Sequence, residues 1–100
     1  MGKYVYIYYA GKDSEDAGSA EAWGEWFGKL GSKLIDAGNP FNDGGKAVNK
    51  EGVMDVSESP VTGYSIVEAD SMSAATEMAK DCPLMLASGA AVCVYEALPM

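Results

Sequence analysis

The most informative absence in this sequence is histidine, which occurs nowhere among its 100 residues. Histidine is the commonest general base, the commonest metal ligand, and the partner of most serine and cysteine nucleophiles. Ser-His and Cys-His catalytic centres are therefore excluded. The NDGG stretch at 42–45 lacks the ligand spacing of a calcium loop, and the glycines do not follow a strand as a phosphate-binding loop requires. We therefore expect no metal and no cofactor.

Positive charge is also scarce, because seven Lys and Arg residues face 15 Asp and Glu residues, which leaves a net charge of −8. Such a field repels phosphate groups, so neither nucleic acid nor an anionic membrane is an expected partner. The sequence has no apolar run long enough for a transmembrane helix. Its opening stretch, MGKYVYIYYAGKD, has too short an apolar core for a signal peptide, so we expect a cytoplasmic protein.

Cysteine is rare as well, with Cys82 and Cys93 the only two. One follows a predicted helix and the other lies inside a predicted strand. Reduced, partly buried thiols are the favoured interpretation. A disulfide between them remains open, because its geometry does not follow from sequence.

The composition is typical of a globular protein, since 48% of the residues are hydrophobic and 22% are charged. The length predicts a single domain over residues 1–100. Three segments rich in aromatic and β-branched residues predict strands at 3–10, 60–69 and 90–97. A weaker segment at 47–56 suggests a short strand or hairpin around Glu51 and Gly52.

Two segments have helical periodicity. The first begins at a Ser19 cap and is predicted to run to about Ala37, with Gly38 just beyond its end. The second begins at Asp70 or Ser71 and is predicted to reach Cys82, where Pro83 ends it. The resulting order βαββαβ predicts an α+β, ferredoxin-like domain: a four-stranded antiparallel sheet with two helices on one face.

The first helix carries two stripes. Its aromatic and leucine stripe, formed by Trp23, Trp26, Phe27, Leu30 and Leu34, is predicted to pack on the sheet. A second stripe contains Gly24, Gly28 and Gly31. Each glycine inside a helix costs about 1 kcal/mol relative to alanine, so the stripe suggests a close neighbour, either the second helix or a partner chain.

The first strand is apolar on both faces, with Tyr4, Tyr6 and Tyr8 on one side and Val5, Ile7 and Tyr9 on the other. Such a strand usually has both of its faces packed against other parts of the protein. The helices supply one cover, and a second subunit is the expected source of the other, so we predict a homodimer.

Several motifs resemble the YCII-related family, some of whose members carry a DGPF motif. They are the aromatic helix ending in LIDAG, then TGYSIVEADS, KDCP and VYEALPM, spread from Trp23 onward. The resemblance implies a ferredoxin-like fold that dimerises through its sheet.

This chain departs from the family at two places. The DGPF stretch corresponds to residues 51–54, where only the glycine, Gly52, and an acidic residue before it are kept. Some family members are thought to use a histidine on the first helix with an aspartate. That position falls near Trp26 or Phe27 here, so the dyad is not carried over.

Two groups of residues are candidates for a site. Glu68 and Glu96 lie near the ends of two strands and could act as acid and base, although solvated strand-end carboxylates are the plainer interpretation. An aromatic pocket could instead form from Tyr6, Tyr8, Tyr64, Tyr95, both tryptophans (Trp23 and Trp26) and Phe27, with a tyrosine-rich core or dimer face as the alternative.

Three functions follow from these candidates. The first is a module that binds a small organic molecule, in a regulatory or accessory role. The second is a cofactor-free isomerase or lyase that uses Glu68 or Glu96 as its base and a tyrosine as its acid. The third is a dimerisation module with no ligand.

Overall fold

A computed structural model of the chain describes residues 2–9, 19–42, 45–56, 61–86 and 89–99. Its strands are β1 (Gly2–Tyr9), β2 (Leu34–Asp36), β3 (Lys46–Asn49), β4 (Gly52–Asp55), β5 (Val61–Ala69) and β6 (Ala91–Ala97). Its helices are α1 (Ala20–Leu30) and α2 (Met72–Ala79), and short 3-10 turns span Gly31–Lys33 and Pro83–Leu86.

The main sheet has the order β2-β5-β1-β6, and all of its neighbouring strands are antiparallel. The two central strands are the two with the longest alternating patterns of buried residues, β1 and β5. This arrangement confirms the predicted α+β architecture with its four-stranded antiparallel sheet. The β3–β4 hairpin forms a separate two-stranded sheet, so the segment at 47–56 is a hairpin and not a member of the main sheet.

The fourth strand of the main sheet comes from an unexpected place. The first helix does not run to Ala37 but ends at Leu30, because Gly31 adopts a φ of 55° and its N–H caps the Phe27 carbonyl. A residue with positive φ stops a helix, and glycine adopts such a φ readily. The next residues, predicted as helix, instead form the edge strand β2 beside β5.

The second helix is capped by Ser71, whose hydroxyl accepts a hydrogen bond from the Ala74 N–H at 3.1 Å. It ends at Ala79, three residues before the predicted end at Cys82. Pro83 therefore does not stop this helix but begins the 3-10 turn that follows. Cys82 is still almost fully buried, in the bend between the two.

The core lies between the sheet and the helices, as the aromatic stripe of α1 predicts. Tyr6 and Trp26 stack there with ring centroids 5.9 Å apart. Their polar atoms both donate to carbonyls of α2: the Tyr6 hydroxyl to Ala75 at 2.6 Å and the Trp26 Nε1–H to Met78 at 3.1 Å. Two aromatic side chains thus attach α2 to both α1 and β1 without leaving a buried donor unpaired.

The glycine stripe of α1 does not lie against the second helix, one of its two predicted neighbours; the other, a partner chain, stays a prediction. Gly24, Gly28 and Gly31 are exposed, and no atom of the described residues lies within 4 Å of a Cβ built on any of them. The second helix therefore makes no close approach to this stripe, and that interpretation is wrong.

Burial of ionisable groups in this core makes the fold sensitive to alkaline pH. Burial raises the pKa of the Cys82 thiol to about 11 and that of Tyr6 to about 12. Burial also raises the pKa of Tyr8. In each case the unfolded chain loses its proton at a lower pH than the folded chain, so the stability is full below the unfolded pKa and is lost above it.

We expect the free energy of unfolding to hold level up to about pH 9, the ordinary pKa of the thiol, and to fall beyond it. Cys82 alone should contribute a loss on the order of 1 kcal/mol by pH 10.5, and the tyrosines should add to it above pH 10. Urea denaturation from pH 7 to pH 11 measures this. In Cys82→Ala the decline should begin about one pH unit later, and a level curve to pH 11 in the unmodified chain would contradict the prediction.

Candidate functional site

A cavity of about 380 Å³ opens between α1 and one end of the main sheet. It lies beside the end of β1 at Tyr8, the first half of β5, and the segment that follows β2. Its lining is apolar and aromatic, with polar side chains at only a few points. The lining residues are Tyr8, Trp23, Phe27, Ala37, Gly38, Asn39, Pro40, Thr62, Gly63 and Tyr64.

One wall of the cavity is the segment 37–41, which continues from β2 along the edge of β5. The Ser65 hydroxyl donates to the Ala37 carbonyl at 2.6 Å, and the Phe41 N–H donates to the Thr62 carbonyl at 2.7 Å. Between these two bonds, Pro40 forms an isolated antiparallel bridge with Gly63. The wall is therefore tied to β5 along its whole length, although it is not a regular strand.

Two glycines allow this close approach. Gly38 has a φ of 76°, and a Cβ built on it would lie 1.7 Å from the Tyr64 carbonyl oxygen. A Cβ on Gly63 would lie 3.0 Å from the Asn39 carbonyl oxygen. Gly38 needs the absence of a side chain for its backbone conformation as well as for space, whereas a Cβ on Gly63 would require the Asn39 carbonyl to move by a few tenths of an ångström.

The aromatic lining is arranged as a connected group of rings. Tyr8 and Trp23 meet edge to face, with centroids 5.1 Å apart and an interplanar angle of 83°. Phe27 continues the group with its centroid 5.9 Å from that of Trp23. A separate pair, Tyr64 and Phe41, stacks at 5.8 Å on the outer face of the sheet, where Tyr64 pairs across the strands with Ile7. Such edge-to-face and stacked contacts hold the rings in defined positions around the opening.

The Tyr8 hydroxyl at the base of the site already has a hydrogen-bond partner within the protein. It donates to Ser65 Oγ at 2.7 Å, and Ser65 donates in turn to the Ala37 carbonyl of the wall. Burial raises the pKa of Tyr8 well above its ordinary value, so this phenol stays protonated at neutral pH. Tyr8 therefore holds the wall in place and is poorly suited to act as a base.

The predicted pocket residues are divided among three places. Tyr8, Trp23, Phe27 and Tyr64 are among the residues that line the cavity. Tyr6 and Trp26 are buried in the core beneath it, with exposures of 0% and 3%. Tyr95 is 57% exposed on the opposite face of the sheet, where its partner across the strands is Val5.

The two predicted catalytic carboxylates are not brought together. Glu68 pairs with Lys3 and so lies on the outer face of the sheet, whereas Glu96 pairs with Tyr4 on the face that the helices cover. Side chains of successive residues in a strand point to opposite faces, which separates the two carboxylates by the sheet itself. Neither glutamate lines the cavity.

Sequence reasoning missed the second half of the site. Trp23 was proposed both for the core stripe and for the aromatic pocket, whereas 39–46 was interpreted only as a loop. Pro40 in the NPF stretch directly after LIDAG is compatible with the edge of a sheet, but it does not indicate which strand that edge lies beside. Among the described residues, no group of three or more metal-ligating side chains could hold an ion, and no described helix is long and apolar enough to cross a membrane.

Comparison of the chain with models of known protein families, with curated proteins and with solved structures finds no match. The similarity to YCII-related proteins therefore rests on the sequence motifs alone.

Proposed function

We propose that this protein is a binding module for a small organic molecule, related to the YCII proteins, and that the aromatic cavity is its binding site. The cavity carries the proposal. Its volume of about 380 Å³ lies within the 300–1,000 Å³ that is typical of small-molecule sites, and such sites are mostly apolar with few polar groups. An accessory or regulatory role needs no catalytic group, which suits a site without a carboxylate or histidine in its lining.

The two phenylalanines of the chain provide a matched test of this site. Phe27 lines the cavity, whereas Phe41 lies close by and is 47% exposed but does not line it. A thermal-shift screen of metabolites should reveal compounds that raise the melting temperature, because a ligand that binds only the folded state stabilises it by mass action.

We expect Phe27→Leu to weaken the binding of such a compound about tenfold or more, and Phe41→Leu to change it much less. Titration calorimetry on the three proteins gives the affinities. If no compound stabilises the chain, or if both variants bind it equally well, the cavity is not a binding site and a dimerisation module without a ligand becomes the better proposal.

We further propose that the protein is a homodimer that pairs through the outer face of the sheet. The middle of this face is apolar where an antiparallel sheet in contact with water is ordinarily polar, although Lys3 and Glu68 lie at one end of it. It carries Val5, Ile7, Ile66, Cys93 and Tyr95, all partly exposed. The described helices α1 and α2 both pack against the other face of the sheet, so neither of them covers this one.

Val5→Lys tests the dimer, because Val5 lies on a central strand with Ile66 and Tyr95 as its cross-strand partners. A lysine there would place a charge in the middle of a self-complementary interface. We expect the unmodified chain to sediment as a dimer at micromolar concentration and Val5→Lys to sediment as a monomer. Ser73→Lys, on the exposed surface of α2, is the control and should remain dimeric. A monomeric unmodified chain would contradict the proposal.

A further inference from the structure

We infer that the cavity selects a flat aromatic molecule that carries no negative charge. This inference rests on the proposed function and adds the chemical class of the ligand. Three properties of the described residues support it: the placement of positive charge, the state of the polar groups around the cavity, and the rings of the lining.

No positive side chain of the described residues is available to an anion in the cavity. The sequence contains no arginine, so the bidentate recognition of a carboxylate or phosphate by a guanidinium is absent. Apart from Lys12, which lies outside the described residues, no lysine is among the residues that line the cavity. Lys3 is on the outer face of the sheet, and Lys46 and Lys50 belong to the β3–β4 hairpin. Lys80 forms an ion pair with Glu77. Lys29, in the last turn of α1, and Lys33, just after this helix, are both exposed.

The surrounding field disfavours anions further. The chain has a net charge of −8. The nearest described carboxylate to the wall is that of Asp36, whose Oδ1 accepts a hydrogen bond from the N–H of the lining residue Gly38 at 2.8 Å. A carboxylate or phosphate entering this cavity would lose water without gaining a cationic partner, which is costly.

Several polar groups of the lining already have hydrogen-bond partners. The Ala37 carbonyl accepts from Ser65, the Gly38 N–H donates to Asp36, and the Thr62 carbonyl accepts from Phe41. The Tyr8 hydroxyl donates to Ser65. A sugar-like ligand with many hydroxyls would leave most of its hydrogen-bonding groups unpaired, and each unpaired buried group costs about 1–3 kcal/mol.

An aromatic ligand finds the partners that this lining does offer. Tyr8, Trp23 and Phe27 supply ring surface at the cavity, where Tyr8 and Trp23 meet edge to face. A flat ring system can stack on one ring and meet another edge to face, which contributes about 0.5–1.5 kcal/mol per contact beyond the burial of its area. Those same ring faces attract an ammonium group, so a cationic aromatic compound is accepted as well as a neutral one.

Three probes with one ring system separate charge from shape: indole, which is neutral, tryptamine, which is a cation at pH 7, and indole-3-acetate, which is an anion. We expect titration calorimetry at low salt to find indole and tryptamine binding at least about tenfold more tightly than indole-3-acetate. The gap between tryptamine and indole-3-acetate should narrow in 0.5 M NaCl, since salt screens the long-range part of the discrimination.

A charge added at the rim provides the decisive comparison. Asn39 lines the cavity and is exposed, so Asn39→Lys places a cation beside the ligand, whereas Ser73→Lys changes the net charge equally on the surface of α2. Asn39→Lys should strengthen the binding of indole-3-acetate several-fold more than Ser73→Lys does. An equal effect of the two variants would overturn the inference, because the added charge would then act through the net charge of the protein and not through its position at the cavity.

The outcomes for the ligand class and for the site itself are distinct. If indole-3-acetate binds as tightly as indole and Phe27→Leu weakens both, the inference about charge is wrong while the cavity remains a binding site. If none of the three probes binds but a polar metabolite does and is lost in Phe27→Leu, the aromatic class is wrong and the site again remains. If no compound binds at all, both proposals fail.

Discussion

Gly38→Ala should destabilise the protein by at least about 3 kcal/mol, a large fraction of the stability of an ordinary domain. The residue has a φ of 76°, which costs a non-glycine residue about 1 kcal/mol or more. The larger cost is steric, because the new Cβ would lie 1.7 Å from the carbonyl oxygen of Tyr64 and 2.7 Å from its carbonyl carbon. Both are backbone atoms of a central strand, so neither can move aside without disturbing the sheet.

Gly28→Ala is the matched control for this substitution. Gly28 lies inside α1, and no atom of the described residues is within 4 Å of a Cβ built on it. Alanine there should raise the free energy of unfolding by up to about 1 kcal/mol, because it is the better helix former. Urea denaturation of the two variants should therefore shift the midpoint in opposite directions. A Gly38→Ala variant as stable as the unmodified chain would mean that segment 37–41 does not pack on β5 as described.

The same experiment bears on the cavity, since Gly38 belongs to both the fold and the site. Forcing the wall away from β5 would strain the Ser65 hydrogen bond to Ala37 and the Phe41 bond to Thr62. A Gly38→Ala variant that still folds should thus bind indole more weakly than Gly28→Ala does. Stability and binding decline together here because one tightly packed backbone segment serves both.

The sequence predicted the central strands well because their signal is local. Both segments are rich in aromatic and β-branched residues, which favour a strand without reference to distant contacts, and from its third residue each strand alternates between buried and half-buried positions. The edge strand β2 was missed because it has three residues and follows directly on a helix whose apolar spacing reaches Leu34. The glycine that separates the two, Gly31, was counted as one of three in a helical stripe, and a sequence does not reveal which of several glycines adopts a positive φ.

The site was half predicted for a related reason. Phe27 and Tyr64 could be proposed because their positions in a helix and a strand follow from periodicity. The wall formed by 37–41 depends on contacts with β5, which pairs with it across more than 20 residues of sequence, and no local pattern specifies such a contact. The separation of Glu68 from Glu96 likewise became evident only with the strand register.

The two tryptophans, three residues apart on one helical stripe, should behave differently when they are replaced. Trp26 is 3% exposed, stacks on Tyr6, and donates its Nε1–H to the Met78 carbonyl. Trp26→Ala should therefore cost about 3–5 kcal/mol, the range for removing a large aromatic side chain from a core. It also removes the closer of two donors to the Met78 carbonyl, which keeps the Asp81 N–H at 3.4 Å.

Trp23 is half-buried, and it lines the cavity while Trp26 does not. Trp23→Ala should cost clearly less stability than Trp26→Ala but should reduce the affinity for indole to near the limit of detection, because the ring that meets Tyr8 edge to face is gone. Urea denaturation and calorimetric titration of both variants separate the two roles. If Trp26→Ala lowered the free energy of unfolding less than Trp23→Ala does, Trp26 would not be the core residue of the pair. The assignment of Trp23 to the cavity would then be wrong as well.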